Sequence, residues 1–238
     1  MTNKTSEALQ RTSRRGGGGR PTREEAVRRD ARLLDVATTL FMERGFDGTS
    51  IDAVAEAAGV SKPTVYARYR DKRDLFAAVL RGRIRDWLAP LSAAAEAQAT
   101  ESNPKSAETT LHELSRHMLA QASMPECATL QRILAAQAVQ FPELAKLEHE
   151  DGWMRGVRGV AILLQQFAAR GEIRVGDPEL AADLFLNLLL GHSARLAING
   201  IAIDPEFLER RSQAAVELFL NGMRTQSGRA AAEERSKS

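Results

Sequence analysis

Residues 50–69 read SIDAVAEAAGVSKPTVYARY, and two short helices can be drawn in this stretch from capping chemistry alone. Ser50 is an N-cap residue, Ile51, Val54, Ala55 and Ala58 fall on one apolar face, and Gly59 closes the segment after two turns. Ser61 is placed to cap a second segment, with Pro63 in its first turn, where a missing N–H costs nothing, and the pattern runs to about Tyr69. Two short helices joined by Ala58-Gly59-Val60-Ser61 form a helix-turn-helix, the unit with which proteins read nucleic acid.

Working outward, Leu33, Val36, Ala37, Leu40 and Phe41 recur at helical spacing from Arg28, and Gly45 offers the left-handed stop that ends a helix near Arg44. Downstream, Asp71 caps a longer helix carrying Leu75, Phe76, Val79, Leu80, Ile84 and Trp87. Beyond Pro90 the pattern stays helical, with turns marked by Pro104, Pro125, Pro142, Gly152, Gly171 and Gly176. Asp177-Pro178-Glu179 and Asp204-Pro205-Glu206 each combine an N-cap, a proline at the first helical position and an acid in the first turn, predicting helices over 178–199 and 205–223. The first of these is apolar over too wide an arc for a helix with one wet face. Burial against a second subunit and a central place in one chain's core both explain it. No internal repeat and no alternating strand pattern is present, so the expected class is all-α.

The chain has 238 residues, enough for one large or two small domains. Its single cysteine, Cys127, excludes an intramolecular disulfide. The first thirty residues are polar, basic and glycine-rich, with no apolar region of a secretory signal, and the longest apolar run, Leu184–Leu190, is too short to span a bilayer. A cytoplasmic protein is expected. Net charge is +2, but it divides unevenly: residues 1–86 carry 18 Lys and Arg against 12 Asp and Glu, while the rest carry 15 against 19. A basic front suits phosphate neutralisation, although charge alone is weak warrant. Residues 1–26, with Gly16 to Gly19 and Arg11, Arg14, Arg15, Arg20 and Arg23, read as a flexible basic arm. The glycine run is followed by Arg20-Pro21 and lacks the Gly-Lys-Ser/Thr ending of a phosphate-binding loop.

In a helix-turn-helix the second helix enters the major groove, while flanking groups hold phosphates. Lys62, Thr64 and Arg68 cluster on one side of that helix, with Val65 and Tyr69 free to face the core, and Ser50 and Ser61 can donate to phosphates. Solvation of an exposed face is the plainer explanation of two basic residues. Catalysis and metal binding have little support. His112 and His117 are five apart, one Cys offers no thiolate pair, and no nucleophile or zinc-protease signature is present, so neither an enzyme nor a cofactor is expected. The cluster Glu148-His149-Glu150-Asp151 reads as a solvated turn more readily than as a cation site. Cys127 reads as a structural thiol more readily than as an oxidant sensor.

Phe41-Met42-Glu43-Arg44-Gly45-Phe46, Thr49-Ser50-Ile51, Ala55 to Tyr66, Tyr69 and Asp71-Lys72 closely resemble the DNA-binding domain of the TetR/AcrR family of bacterial regulators, over about residues 28–85. Residues 133–200, especially Phe141-Pro142-Glu143-Leu144, look more loosely like the C-terminal domain of its AefR-like branch. The resemblance implies a flexible arm (1–26), a helix-turn-helix DNA-binding domain (27–86), a larger helical effector-binding and dimerisation domain (87–224) and a disordered tail (225–238). It implies that Lys62, Thr64, Ala67 and Arg68 face the groove, that Ser50, Tyr66 and Lys72 hold phosphates, and that Arg20 or Arg23 reaches the minor groove. The family often has His or Tyr where Arg68 stands and Phe where Tyr69 stands, so a more charged groove-facing surface is expected. Ala67 lacks an aromatic that some members use.

A ligand-responsive repressor follows from the resemblance. It would bind a palindromic double-stranded operator as a homodimer, with recognition helices about 34–36 Å apart or a multiple of that. The resemblance puts the dimer contact on the last two long helices, where Leu184, Leu188, Leu189 and Phe219 are the candidates. It also implies an effector pocket, for an unidentified small apolar molecule, with His117, Met118, Phe141, Trp153, Phe167 and His192 as candidate lining, each explained as well by core packing. Two other classes fit the residues: an architectural or RNA-binding helical protein, and a small-molecule-binding or catalytic domain with a dimerising appendage.

Overall fold

The computed structural model describes residues 23–223, as ten α-helices with one π-helical turn and no β-strand among them. The helices are α1 (Arg23–Arg44), α2 (Ile51–Ala58), α3 (Lys62–Tyr66), α4 (Lys72–Thr100), α5 (Ala107–Ala122), α6 (Pro125–Gln137), α7 (Pro142–Leu147), α8 (Met154–Ala169), α9 (Pro178–Ile198) and α10 (Pro205–Met223). The π-helical turn, Glu148–Trp153, joins α7 to α8. The all-α expectation holds. The tail 225–238, Arg20 and most of the expected arm lie outside the described residues.

Local chemistry sets several boundaries where the sequence puts them. The Ser50 hydroxyl accepts the Ala53 N–H at 3.1 Å to start α2, and Gly59, at φ 68°, stops it in the left-handed region that a side chain disfavours. Asp71 accepts the Asp74 N–H at 2.9 Å to start α4. Asp177 accepts two N–H groups, each at 3.1 Å, at the start of α9. Asp204 accepts the Glu206 N–H, also at 3.1 Å, at the start of α10.

Other boundaries differ. α1 begins at Arg23, five residues before the apolar pattern, with Glu24 and Glu25 in its first turn, where acids favour a helix N-terminus. α3 ends at Tyr66 rather than near Tyr69. The Arg68 N–H bonds back to Val65 at 3.0 Å in a tightened turn, and Tyr69 is drawn into the core below. Ser61 precedes α3 but does not cap it through its side chain: its hydroxyl pairs with that of Thr64 at 2.8 Å. Pro90 lies inside α4 without ending it, and Gly152 falls within the π-helical turn rather than at a break.

Two apolar cores result. The first gathers α1, α2, α3 and the start of α4 around Phe41, Phe46 and Phe76, whose ring centroids lie 5.0–6.0 Å apart, and Leu130, Leu134, Leu144 and Leu147 of α6 and α7 join it. The second joins the later part of α4 with α5, α8, α9 and α10 around Phe167, Phe185 and Leu189. α4 contributes to both. The wide apolar arc of α9 therefore has a large intrachain component: Phe185, Leu186 and Leu189 are buried in the second core, so Leu189 is corrected from a dimer candidate to a core residue. Phe219 is half-buried and packs at a tilt against Phe185 with centroids 4.8 Å apart. Leu184 stays exposed and Leu188 half-exposed.

Candidate nucleic-acid interface and internal cavity

The tight turn at Gly59, closed by a Val60 N–H bond to Ala55 at 3.0 Å, locks α3 against α2, and Val65 anchors it from below with no exposed surface. What remains outward is the polar edge. Lys62, Tyr66 and Ala67 are exposed and Thr64 is partly so. The Lys62 ammonium reaches Asp52 in the first turn of α2 at 2.5 Å, and this hydrogen bond holds its pKa above the ordinary lysine value. Lys72, at the start of α4, donates to the Asp47 carbonyl at 3.3 Å and lies 4.5 Å above the Phe46 ring. Lys62 and Lys72 are thereby tethered to residues flanking Ser50, whose hydroxyl keeps its own proton for an outside acceptor.

Arg68 is placed differently from the sequence expectation. Its guanidinium pairs with Asp30 on α1, and the Tyr69 hydroxyl donates to the same carboxylate at 3.3 Å. Burial, then the neighbouring Asp30 charge, pushes the Tyr69 phenol up to about 12. Arg68 and Tyr69, two of the three positions that depart from the family pattern, thus share one acid, and the expected extra groove charge is compensated within the chain. Arg23 opens α1, but its side chain lies outside the description.

A half-open cavity of about 290 Å³ lies where the two cores meet. α4 supplies Ile84, Trp87 and Leu88, α5 supplies Met118, and α9 closes the far side with Leu186 and Leu190. The π-helical turn adds Glu148, Gly152 and Trp153, while Gln131 and Cys127 face in from α6. The Trp153 indole N–H is fixed on Asp183 at 2.8 Å. Burial raises the Glu148 carboxyl above the usual range, opposed by a hydrogen bond from Gln131. Burial also pushes the Cys127 thiol up to about 11, with Glu126 and Glu148 adding to the shift.

Of the six residues expected to line a pocket, Met118 and Trp153 do so. Phe141 instead packs on Phe46, with centroids 5.7 Å apart, under the Arg73 guanidinium. Phe167 is a fully buried member of the second core, and His192 stacks edge-on against Phe207 of α10 at 5.6 Å. His117 is half-buried on α5, its Nε2 enclosed without a hydrogen-bond partner among the described residues, and is not part of the wall. Glu148, Trp87 and Gln131 were not singled out as lining. Their sequence signal is faint, because which face of a turn meets a cavity depends on how α4, α6 and α8 converge.

Two family models match the chain: bacterial regulatory proteins of the tetR family over residues 33–79, and the AefR-like transcriptional repressor C-terminal domain over residues 109–222. A crystal structure from Mesorhizobium loti, assigned to the TetR family of transcriptional regulators, is 30% identical, covers 86% of this chain and 100% of that one, and has a TM-score of 0.77. The Flavonoid-responsive Regulator FrrA is also 30% identical, over 84% of this chain and 99% of its own, with a TM-score of 0.65. Among curated relatives, the HTH-type transcriptional regulator AcrR of Shigella flexneri is 40% identical over 60 residues, 25% of this chain. That match spans only 28% of AcrR's length.

Proposed function

The chain belongs to the TetR family of bacterial transcriptional regulators, and on that premise we propose that it is a repressor that binds a palindromic operator as a homodimer and is released by a small molecule. Lys62, Thr64 and Ala67 meet base edges or the groove wall. Ser50, Ser61, Tyr66 and Lys72 hold phosphates, and Arg68 joins them once it exchanges Asp30 for DNA. Arg20 acts from the arm and Arg23 from the first residue of α1. The working units are 27–86 for DNA and 87–224 for effector and dimer, in a cytoplasmic protein that is nucleoid-associated when bound.

The observation that carries this reading is α4. Its N-terminal cap, Asp71, follows the α3 turn directly, and about four turns later Ile84, Trp87 and Leu88 form one wall of the cavity. A molecule that moves this wall moves the base of the reading unit. Such coupling is typically about 1–3 kcal/mol and reciprocal, so operator DNA weakens effector binding by the factor by which effector weakens DNA binding. That FrrA is described as flavonoid-responsive supports a small-molecule input here as well. For the dimer, Leu184 and Leu218 are exposed on adjoining helices, 58% and 67%, and give the two-fold contact an apolar face.

The test is selection of duplexes from a random DNA pool at near-physiological salt, with the Lys62→Ala, Arg68→Ala double variant in parallel. A palindrome enriched by the natural protein and lost by the variant supports the reading. Equal retention of both proteins with no motif overturns it.

A further inference from the structure

We propose that the cavity beside α4 takes a compact aromatic cation, whose positive charge pairs with Glu148. The inference deepens the effector reading above and rests on it for biological consequence, but its chemistry stands on the cavity. The wall is mostly apolar, with the Trp87 and Trp153 indoles among its surfaces. Glu148 is its one ionisable acid, and among the described residues that line it none is Lys, Arg or His. The cavity is therefore built against anions, because a bound carboxylate or phosphate would lose its water and meet only another negative charge. The Glu148 carboxyl lies inward, its Oε1 3.4 Å from where a Cβ on Gly152 would stand. Glu148 and Gly152 both belong to the π-helical turn, which forms this side of the wall.

Gln131 gives Glu148 a hydrogen bond but no countercharge. The one cationic group that acts on Glu148 is its chain neighbour His149, which is exposed and stands outside the wall, so no cation of the chain meets the carboxyl from within the cavity. A ligand cation supplies the missing partner and can also lie against the indole faces, an attraction strongest where water is excluded. Asp183 accepts the Trp153 N–H at 2.8 Å and so adds negative potential at the edge of that ring. At about 290 Å³ the cavity suits one ring with a small charged head rather than a long chain.

The experiment uses three probes of nearly one shape: phenyltrimethylammonium, its uncharged carbon isostere tert-butylbenzene, and 4-tert-butylphenol as a neutral hydroxyl donor. Binding to the full-length protein without DNA is read by tryptophan fluorescence and calorimetry. The cation should bind at least about 10-fold tighter than either neutral probe, about 1.4 kcal/mol. Glu148→Gln should abolish that preference while leaving the neutral probes unchanged. Ala194→Leu, which fills the cavity from α9 without altering the carboxyl, should weaken all three. Circular dichroism confirms that both variants are folded, and either one alone is sufficient to decide. Neutral probes that bind as tightly as the cation overturn the cationic class and leave a neutral effector, a phenol included, in the cavity. Cation binding that survives Ala194→Leu unchanged places the probe elsewhere and overturns the proposal. A selective cation that leaves operator affinity unchanged upholds the cavity chemistry and overturns the effector reading instead.

Discussion

Asp30 receives two side chains from the end of the recognition segment, the Arg68 guanidinium and the Tyr69 hydroxyl, so the arginine nearest the expected groove face is held by α1 in the free protein. Both members of the ion pair are more than a third exposed, 40% and 35%, so the pair contributes only about 0–1 kcal/mol to stability. Its effect falls on DNA binding. Asp30→Asn should free Arg68 and steepen the dependence of log K on log salt by up to about 0.9 for one added phosphate contact, at almost unchanged stability in urea. An unchanged slope in a salt titration would count against any reserve of charge at Arg68. On α6, burial pushes the Cys127 thiol from its ordinary 9.0 up to about 11, so its thiolate is about 100-fold scarcer at pH 8. Iodoacetamide should accordingly alkylate Cys127 about 100-fold more slowly than a free thiol, and a rate equal to that of glutathione would refute the burial. These residues also show where sequence reading stops. Lys62 and Thr64 could be chosen because their spacing on one short helix is a local property. The Arg68 to Asp30 pair joins positions 38 apart, and Glu148 stands in a charged run whose register on the π-helical turn decides between water and cavity.

α4 and α8 approach closely because α8 supplies glycines where α4 supplies leucines. A Cβ on Gly156 would lie 3.6 Å from Leu88 Cδ2, an ordinary contact, whereas one on Gly159 would lie 2.6 Å from Leu91 Cδ2 and 2.9 Å from Leu91 Cγ. Leu91 is 3% exposed and has little room to yield. These two leucines flank Pro90, which removes one backbone hydrogen bond from the middle of the helix. Their seating on α8 is a physical reason for α4 to continue to Thr100. Helix starts such as those of α2, α9 and α10 were legible because a cap and its N–H partner are neighbours in sequence, while continuation through Pro90 and Gly152 depends on packing against distant helices. Two alanine substitutions separate these effects. Gly82→Ala, in α4 with nothing within 4 Å, should stabilise by about 0.5–1 kcal/mol through helix propensity. Gly159→Ala gains the same propensity but meets Leu91, and should destabilise by about 1–3 kcal/mol. Thermal and urea denaturation of the pair decide it, and a Gly159→Ala protein as stable as Gly82→Ala would mean that α4 and α8 do not seat so closely.

For the whole molecule, the apolar arc of α9 divides into a buried part and an exposed part. Phe185, Leu186 and Leu189 turn inward to the second core, while Leu180 and Leu184, one turn apart, remain 56% and 58% exposed. Across the helix pair, Leu188 and Leu218 open a shallow groove with Phe207 and Ala214. Arg211 stiffens this edge by donating to the Leu189 carbonyl at 2.6 Å, and burial lowers its pKa. The sequence reading could not distinguish leucines facing a second chain from leucines facing their own, because a helix apolar on nearly all sides has no preferred direction until its neighbours are placed. The two groups should fail differently. Leu184→Asp puts a charge where water already reaches, so the variant should keep its helical content and melting temperature but sediment as a monomer. Its operator affinity should fall at least about 100-fold, since each half-site then binds without the linkage that makes the second contact intramolecular. Leu189→Asp buries an unpaired carboxylate and should lose more than about 4 kcal/mol of stability, with loss of fold preceding any change in assembly. Sedimentation velocity on Leu184→Asp, repeated with Leu218→Asp added, is the deciding measurement: a double variant that remains dimeric moves the two-fold contact away from α9 and α10, and recognition-helix spacing would then have to be set by another face of the molecule.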